Sequence, residues 1–143
     1  MKHFVAFVLL AISCVSLAHE NSQEAQVETL ARTSHSWDGS ALPAYPSGQP
    51  EITILKIRIP AGAQLPVHHH PVINAGVLLE GELTVVSEAG DRLHLKAGDA
   101  IVELVDTPHY GRNDGSEDAL IIVFYAGVVG TPVTVLSPQD NTE

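Results

Sequence analysis

The stretch GAQLPVHHHPVINAGVLLEG, residues 62–81, carries the pattern that decides the fold. It holds three consecutive histidines, and successive side chains of a β-strand point to opposite faces of a sheet. His68 and His70 would therefore share one face, and His69 would point the other way. If the shared face lines the interior of a barrel, a metal ion would relieve the cost of burying two imidazoles. An unliganded cluster of surface histidines is the alternative.

A second stretch, GDAIVELVDTPHYGRN at residues 98–113, brings a further histidine, His109. From Glu51 onward the chain consists of short runs rich in valine, isoleucine and leucine, each ended by glycine, proline or aspartate. Apolar runs punctuated in this way predict short strands in an all-β sandwich or barrel. We assign the barrel to residues 51–137, and we expect neither a helix nor a solenoid repeat within it.

The two stretches together resemble the two motifs of the cupin superfamily. The residues at matching spacing are Gly62, His68, His70 and Gly81 in the first stretch, and Gly98, His109 and Asn113 in the second. The resemblance covers roughly residues 51–126. It implies a cupin double-stranded β-helix, a jelly-roll barrel of antiparallel strands that often forms a homodimer. It also implies that His68, His70 and His109 bind one divalent transition metal, which would be Fe, Zn, Mn, Ni or Cu.

Two positions depart from the cupin pattern. Asn74 stands where the family has a metal-binding glutamate, and Leu104-Val105-Asp106 replaces a Pro-x-Gly turn. Three neutral imidazoles would leave the charge of a divalent ion uncompensated, and the carbonyl oxygen of Asn74, a candidate fourth ligand, is a weaker donor than a carboxylate. The site would therefore bind metal more loosely, or take a missing charge from an anionic or chelating substrate, or be a decayed site that only binds.

Several other side chains are candidates for the site or its surroundings. Glu103 lies in an otherwise apolar run. We expect it to be a partner of the metal ligands or a base, and the alternative is that it faces outward and is exposed. Arg58 and Arg112 would bind an anionic substrate or lie in solvent. Trp37 and Tyr45 would plug one end of the barrel, with a substrate lid as the alternative.

Open coordination positions beside three histidines favour an enzyme. We expect a metal-dependent oxygenase of the non-heme dioxygenase type, acting on a small oxygen-bearing molecule. Lewis-acid hydrolysis or isomerisation is a further use of such sites. A non-catalytic module that binds a small molecule or a metal is the alternative, because one fold hosts many chemistries. Seven Lys and Arg against seventeen Asp and Glu give a net charge of −10, which disfavours nucleic acid as a partner.

The N-terminus has the pattern of a cleaved signal peptide, which we assign to residues 1–18. The chain would then be exported, periplasmic or secreted, with no membrane span after cleavage. A retained signal anchor and lipid attachment at Cys14 are the alternatives. Residues 19–50 would form an N-terminal tail and lead-in, and residues 138–143 a C-terminal tail. Because Cys14 is the single cysteine, the mature chain would have no thiolate for catalysis or metal binding.

Overall fold

The computed structural model describes residues 25–138, and this part of the chain is all-β. It contains no helix, and so none that could cross a membrane. The strands of the described part are β1 (Pro50–Ile59), β2 (His68–His69), β3 (Ile73–Glu80), β4 (Glu82–Ser87), β5 (Arg92–Lys96), β6 (Ala100–Val102), β7 (His109–Arg112), β8 (Ala119–Val128) and β9 (Val135–Leu136). The predicted fold class is therefore confirmed. The predicted signal peptide and Cys14 lie outside the described residues.

The strands form two antiparallel sheets that pack face to face. One sheet has the strand order β1-β8-β3-β6, and the other has the order β5-β4-β7-β2-β9. Apart from the hairpin of β4 and β5, the neighbours in each sheet are not consecutive in the chain, as expected for a jelly roll rather than a simple meander. The sequence of β8 is consistent with an interior position in its sheet, because β-branched and aromatic residues pack well on a pleated surface.

Apolar side chains from both sheets fill the space between them. Leu78, Ile121 and Val123 come from the four-stranded sheet, and Leu83 and Val85 come from the five-stranded sheet. Strand β3 buries every second residue up to Leu78, which is the alternation predicted for a strand with one interior face. This alternation also places Asn74 on the interior face, where it is 1% exposed.

The turn between β3 and β4 requires glycine. Gly81 has a φ of +74°, in the left-handed region, and a Cβ atom there would lie 2.6 Å from the backbone oxygen of Asp118. Any other residue would therefore meet both backbone strain and a collision. The glycine that ends the first sequence motif thus allows two chain segments to approach closely.

The lead-in before β1 docks on the barrel through its backbone. The amide of Trp37 donates to the carbonyl of Val102 at 2.9 Å, and the hydroxyl of Ser36 donates to the carbonyl of Glu103 at 2.8 Å. Trp37 packs against the core, as expected of a plug, whereas Tyr45 is 80% exposed. The expectation for Tyr45 was wrong because the segment that carries it runs over the surface, where its ring has no core to enter.

Candidate metal centre

Three histidines from separate parts of the sequence meet inside the five-stranded sheet. His68 in β2 is the register partner of His109 in β7, and His70 follows two residues after His68. The three ring centroids lie 4.7–5.0 Å apart, and one ligand nitrogen from each ring lies within 4.8 Å of the others. All three side chains are buried, whereas His69 lies on the other side of the strand and is only partly buried. The strand alternation predicted this arrangement.

Hydrogen bonds set the tautomer of each imidazole. The Nδ1 atoms of His68, His70 and His109 lie 2.7–2.8 Å from the backbone oxygens of Pro66, Val133 and Thr107. Because a carbonyl oxygen only accepts, each Nδ1 carries the proton and donates it. The lone pair of each ring is therefore on Nε2, which is the arrangement that orients imidazole toward a metal ion.

Burial keeps the rings of His70 and His109 neutral. Desolvation lowers the pKa of His70 and of His109 to about 4, although each Nδ1–H bond to a backbone carbonyl acts in the opposite direction. The neighbouring imidazoles lower both pKa values further, since adjacent positive charges repel. A set of neutral, converging imidazoles is the ligand type that Zn, Cu, Fe and Ni accept, so the donor set fits a divalent transition metal.

Two buried side-chain oxygen atoms, one of Asn74 and one of Glu103, have no hydrogen-bond donor. The side-chain amide of Asn74 donates to the carbonyl of Val72 at 3.2 Å, while its Oδ1 has no partner. The Oε2 atom of Glu103 lies 3.6 Å from Nε2 of His109, and both of these atoms also lack a hydrogen-bond partner. Burial raises the pKa of Glu103 to about 7. Unpartnered buried polar atoms are uncommon in folded proteins, so the pair formed by Glu103 and His109 in the cavity wall indicates a binding site. Asn74, the candidate fourth ligand, is buried but does not line this cavity.

The histidines open into a cavity of about 240 Å³ with largely apolar walls. Its lining includes leucine, isoleucine and valine side chains of both sheets, together with Glu103, Tyr125 and Thr134. The ring of Tyr125 packs against that of His70 edge to face, with centroids 5.4 Å apart. Neither Arg58 nor Arg112 lines the cavity.

The two arginines are engaged elsewhere, on the protein surface. Arg58 pairs with Asp118 at 3.3 Å, and Arg112 pairs with Asp114 through its Nε atom at 2.6 Å. Both arginines therefore lie on the solvent side of the sheets. They do not contact the cavity, and the second of the two interpretations, exposure to solvent, is the correct one. The carboxylates beside them, rather than a substrate, neutralise their charge.

The altered turn of the second motif keeps its shape without glycine. Asp106 has a φ of +55°, a conformation that aspartate tolerates better than most residues. Its amide donates to the carbonyl of His70 at 2.9 Å, which ties this turn to the histidine strand. Asn113, which ends the motif, is fully buried, and its amide nitrogen donates to the carbonyls of Ile59 and Glu117. This part of the motif is structural.

Sequence reasoning missed Tyr125 and Thr134 as residues of the site. Tyr125 lies in a long apolar run that carries no sign of a cavity. The hydroxyl of Thr134 lies 3.3 Å from Nδ1 of His70, more than sixty residues away in sequence. The pairing of β2 with β9 brings Thr134 close to His70.

A β-sandwich with three inward-facing imidazoles defines a class of small metal-binding β-proteins, and comparison with known proteins identifies the family. The family model described as the cupin domain matches residues 55–125. Residues 55–125 therefore form a cupin domain, as the two sequence motifs predicted. No curated protein sequence matches this chain significantly.

Several solved structures share this fold. The DMSP lyase DddQ from Ruegeria pomeroyi DSS-3 is 26% identical, with a TM-score of 0.54 over 60% of this chain and 43% of the lyase. An oxalate oxidase in complex with the substrate analogue glycolate is 22% identical, with a TM-score of 0.52 over 61% of this chain and 46% of the oxidase. An oxalate decarboxylase from Lactobacillus farciminis is 20% identical, with a TM-score of 0.52 over 59% and 26% of the two chains. The matched part is less than half the length of each of these proteins.

Proposed function

We propose that this chain is a metal-dependent cupin enzyme, specifically an oxygenase of a small oxygen-bearing molecule. The observation that supports this function is the convergence of three Nε2 lone pairs at the wall of an apolar cavity. His68, His70 and His109 would hold the ion. A transition metal bound there supplies a Lewis acid and, in the case of iron or copper, a redox-active centre with open ligand positions.

The residues of the chain prepare the site in two ways. The carbonyls of Pro66, Val133 and Thr107 fix the Nδ1 protons and so keep each Nε2 atom available and oriented. The apolar walls exclude water and strengthen the electrostatic interactions inside the cavity. The volume of about 240 Å³ limits the occupant to a small molecule.

The cavity walls also restrict the charge of the substrate. The described residues that line the cavity include no lysine and no arginine. A substrate carboxylate or enolate would therefore have only the metal ion to balance its charge. We propose a substrate with an apolar body and one chelating oxygen group, carrying at most a single negative charge. The lyase and the oxalate enzymes named above also act on small molecules, which supports this size class.

A second candidate function, favoured by Asn74, is a module that binds a metal or a small molecule without turnover. The side-chain amide of Asn74 is occupied by the carbonyl of Val72, and the position offers no carboxylate to a bound ion. A site with fewer strong ligands holds metal less firmly, and weak retention suits a sensor better than a catalyst.

Dioxygen consumption distinguishes the two candidates. Protein loaded anaerobically with Fe(II) is mixed with a panel of small diketones, flavonols and thiols, and uptake is followed with an oxygen electrode. An oxygenase shows substrate-dependent uptake that His109→Ala abolishes and His94→Ala retains, since His94 is exposed and lies outside the cavity. Calorimetric binding of these compounds without any uptake would support the module and contradict the oxygenase.

We further propose that the chain is exported by its N-terminal segment. Support comes from the sequence pattern of residues 1–18 alone. Expression of the full chain in a bacterial host, followed by fractionation and N-terminal sequencing, tests this proposal. Export predicts a chain that begins at His19 in the extracytoplasmic fraction, and an intact Met1 in the cytoplasmic fraction contradicts it.

We also propose a homodimer through the outer face of the four-stranded sheet. Ile54 and Phe124 are register partners on this face and are 56% and 52% exposed, and Ile52 beside them is also exposed. A contiguous apolar patch of this kind is typical of a contact surface. Sedimentation velocity is expected to give a dimer for the unmodified chain and a monomer for Phe124→Lys. A monomeric unmodified chain would contradict the proposal.

A further inference from the structure

We infer that Glu103 supplies the carboxylate that position 74 lacks, as the fourth protein ligand of the metal ion. The inference rests on the proposed metal centre, though not on oxygenase activity. Asn74 and Glu103 belong to different sequence motifs, and the second motif of the cupin pattern assigns no ligand to position 103. The carboxylate would thus have moved from one strand to the next.

The backbone places these two residues side by side. Strands β3 and β6 are paired, with Ala75 opposite Val102, and the amide of Glu103 donates to the carbonyl of Asn74 at 3.1 Å. The hydroxyl of Ser36 holds the carbonyl of Glu103 from the other side. Glu103 therefore starts from a fixed position next to the site where the cupin motif has its glutamate.

The side chain of Glu103 reaches the edge of the histidine cluster at His109, while the three imidazole nitrogens alone form the group within 4.8 Å of one another. It lines the same cavity as the three imidazoles and is 8% exposed as a residue. Its Oε2 atom lies 3.6 Å from Nε2 of His109. Because Nδ1 of His109 carries the ring proton, Nε2 is a lone-pair acceptor, and a carboxylate oxygen is also an acceptor.

When Glu103 is ionised, two buried acceptors face each other, and this arrangement needs a positive partner. Neither atom has a hydrogen-bond donor, and each unsatisfied buried polar atom costs roughly 1–3 kcal/mol. A single cation bound by Nε2 of His109 and Oε2 of Glu103 would satisfy both. It would also explain why a carboxylate is buried where the described lining of the cavity offers no lysine or arginine.

Charge supports the same assignment. Three neutral imidazoles leave a divalent ion with its full charge, and a carboxylate cancels half of it in a medium where charge is poorly screened. Asn74 offers only a neutral oxygen. With Glu103, the donor set becomes three histidines and one carboxylate. The first motif alone, with Asn74 in place of glutamate, predicts a site without a carboxylate.

Cobalt binding to the full chain tests this inference. Co(II) affinity is measured by chelator competition, and the visible d–d spectrum reports the coordination of the ion. Glu103→Gln keeps the size of the side chain and removes its charge, so it is expected to weaken Co(II) binding about 10- to 100-fold and to change the spectrum. The double variant Asn74→Glu/Glu103→Gln is expected to recover affinity, because it restores a carboxylate on the neighbouring strand.

A matched control pair lies on the surface. Glu82 has its Oε2 atom 3.6 Å from Nε2 of His94, the same separation as in the buried pair, but both side chains are nearly half exposed. Glu82→Gln is expected to leave Co(II) affinity and the spectrum unchanged. Thermal melting of the metal-free protein adds a second measurement. A purely structural role of Glu103 would lower the melting temperature of Glu103→Gln, whereas a ligand role predicts a higher one. At pH 8, where Glu103 is ionised, Glu103→Gln should melt higher than the unmodified chain, because it removes a buried charge without a partner.

The outcomes separate the inference from the proposed function. Unmodified protein that binds Co(II) while Glu103→Gln binds it equally well, with the same spectrum, overturns the inference and leaves the three-histidine centre in place. Unmodified protein that fails to bind Co(II), Zn(II) and Fe(II) overturns both. A metal-free Glu103→Gln protein that melts lower than the unmodified chain assigns Glu103 a structural role and also contradicts the inference.

Discussion

Acid should destabilise the metal-free protein through its buried imidazoles. The pKa values of His70 and His109 fall from 6.5 to about 4 on folding. Between these pH values the unfolded chain binds protons that the folded chain does not, so stability is lost as the pH falls below 6.5. One pKa unit corresponds to about 1.4 kcal/mol, and at pH 4.5 each imidazole accounts for a loss of about 3 kcal/mol.

Glu103 acts in the opposite direction. Its pKa rises from 4.5 to about 7 on folding, so the folded chain takes up a proton that the unfolded chain does not between these values. Stability is gained from this group as the pH falls from 7 to 4.5, by about 3 kcal/mol. Two losses and one gain leave a net loss of about 2 to 3 kcal/mol between pH 6.5 and pH 4.5, or roughly a quarter of the stability of a typical domain.

Urea unfolding of the chelator-treated protein at the two pH values measures this loss. His70→Gln should remove nearly all of the net pH dependence, because it deletes one of the two losses of about 3 kcal/mol. His94→Gln, at an exposed surface position, serves as the control and should behave like the unmodified chain. Equal stability of the unmodified protein at both pH values, or an unchanged pH dependence in His70→Gln, would refute the reasoning.

Three further predictions concern single substitutions, and two of them include a matched control substitution. His70→Ala should release most of the bound metal and His69→Ala little of it, as measured by elemental analysis, because the two side chains lie on opposite sides of the strand; equal losses would contradict the alternation. Gly81→Ala should cost about 3 kcal/mol or more in urea unfolding, because it adds a collision to backbone strain. Gly90→Ala, with a φ of +89° and open space around it, should cost only about 1–2 kcal/mol, and equal costs would argue against the collision. Asn113→Ala should destabilise the fold by about 2–4 kcal/mol, because it removes the hydrogen bonds of a fully buried side chain to the carbonyls of Ile59 and Glu117 and to the amide of Gly115, and a cost below about 1 kcal/mol would contradict that role.

Much of the fold could be predicted because the relevant signals are local. The alternation in β3 and the glycines that end the strands mark each element without reference to its partners. That His68 and His70 share one face follows from strand geometry, and the spacing of the second motif identifies His109 as the third ligand. The backbone at Asp106 also keeps the left-handed turn that the motif requires, since aspartate tolerates this conformation.

The rest of the site depends on contacts between distant residues. The orientation of Glu103 depends on Ser36 and on the pairing of β6 with β3, neither of which leaves a pattern near position 103. Tyr125 faces the cavity because β8 is central in its sheet, which an apolar run alone does not reveal. Arg58 is neutralised by an aspartate sixty residues away, so its availability to a substrate was not decidable from sequence.

The central claim is that His68, His70 and His109 hold one transition-metal ion. The most direct measurement is the metal content of protein purified without chelator, then dialysed against a slight excess of Fe(II), Co(II) or Zn(II). We expect about one ion per chain, reduced to background in His109→Ala and retained in His94→Ala. Substoichiometric binding of all three metals by the unmodified chain, or full retention in His109→Ala, would contradict it.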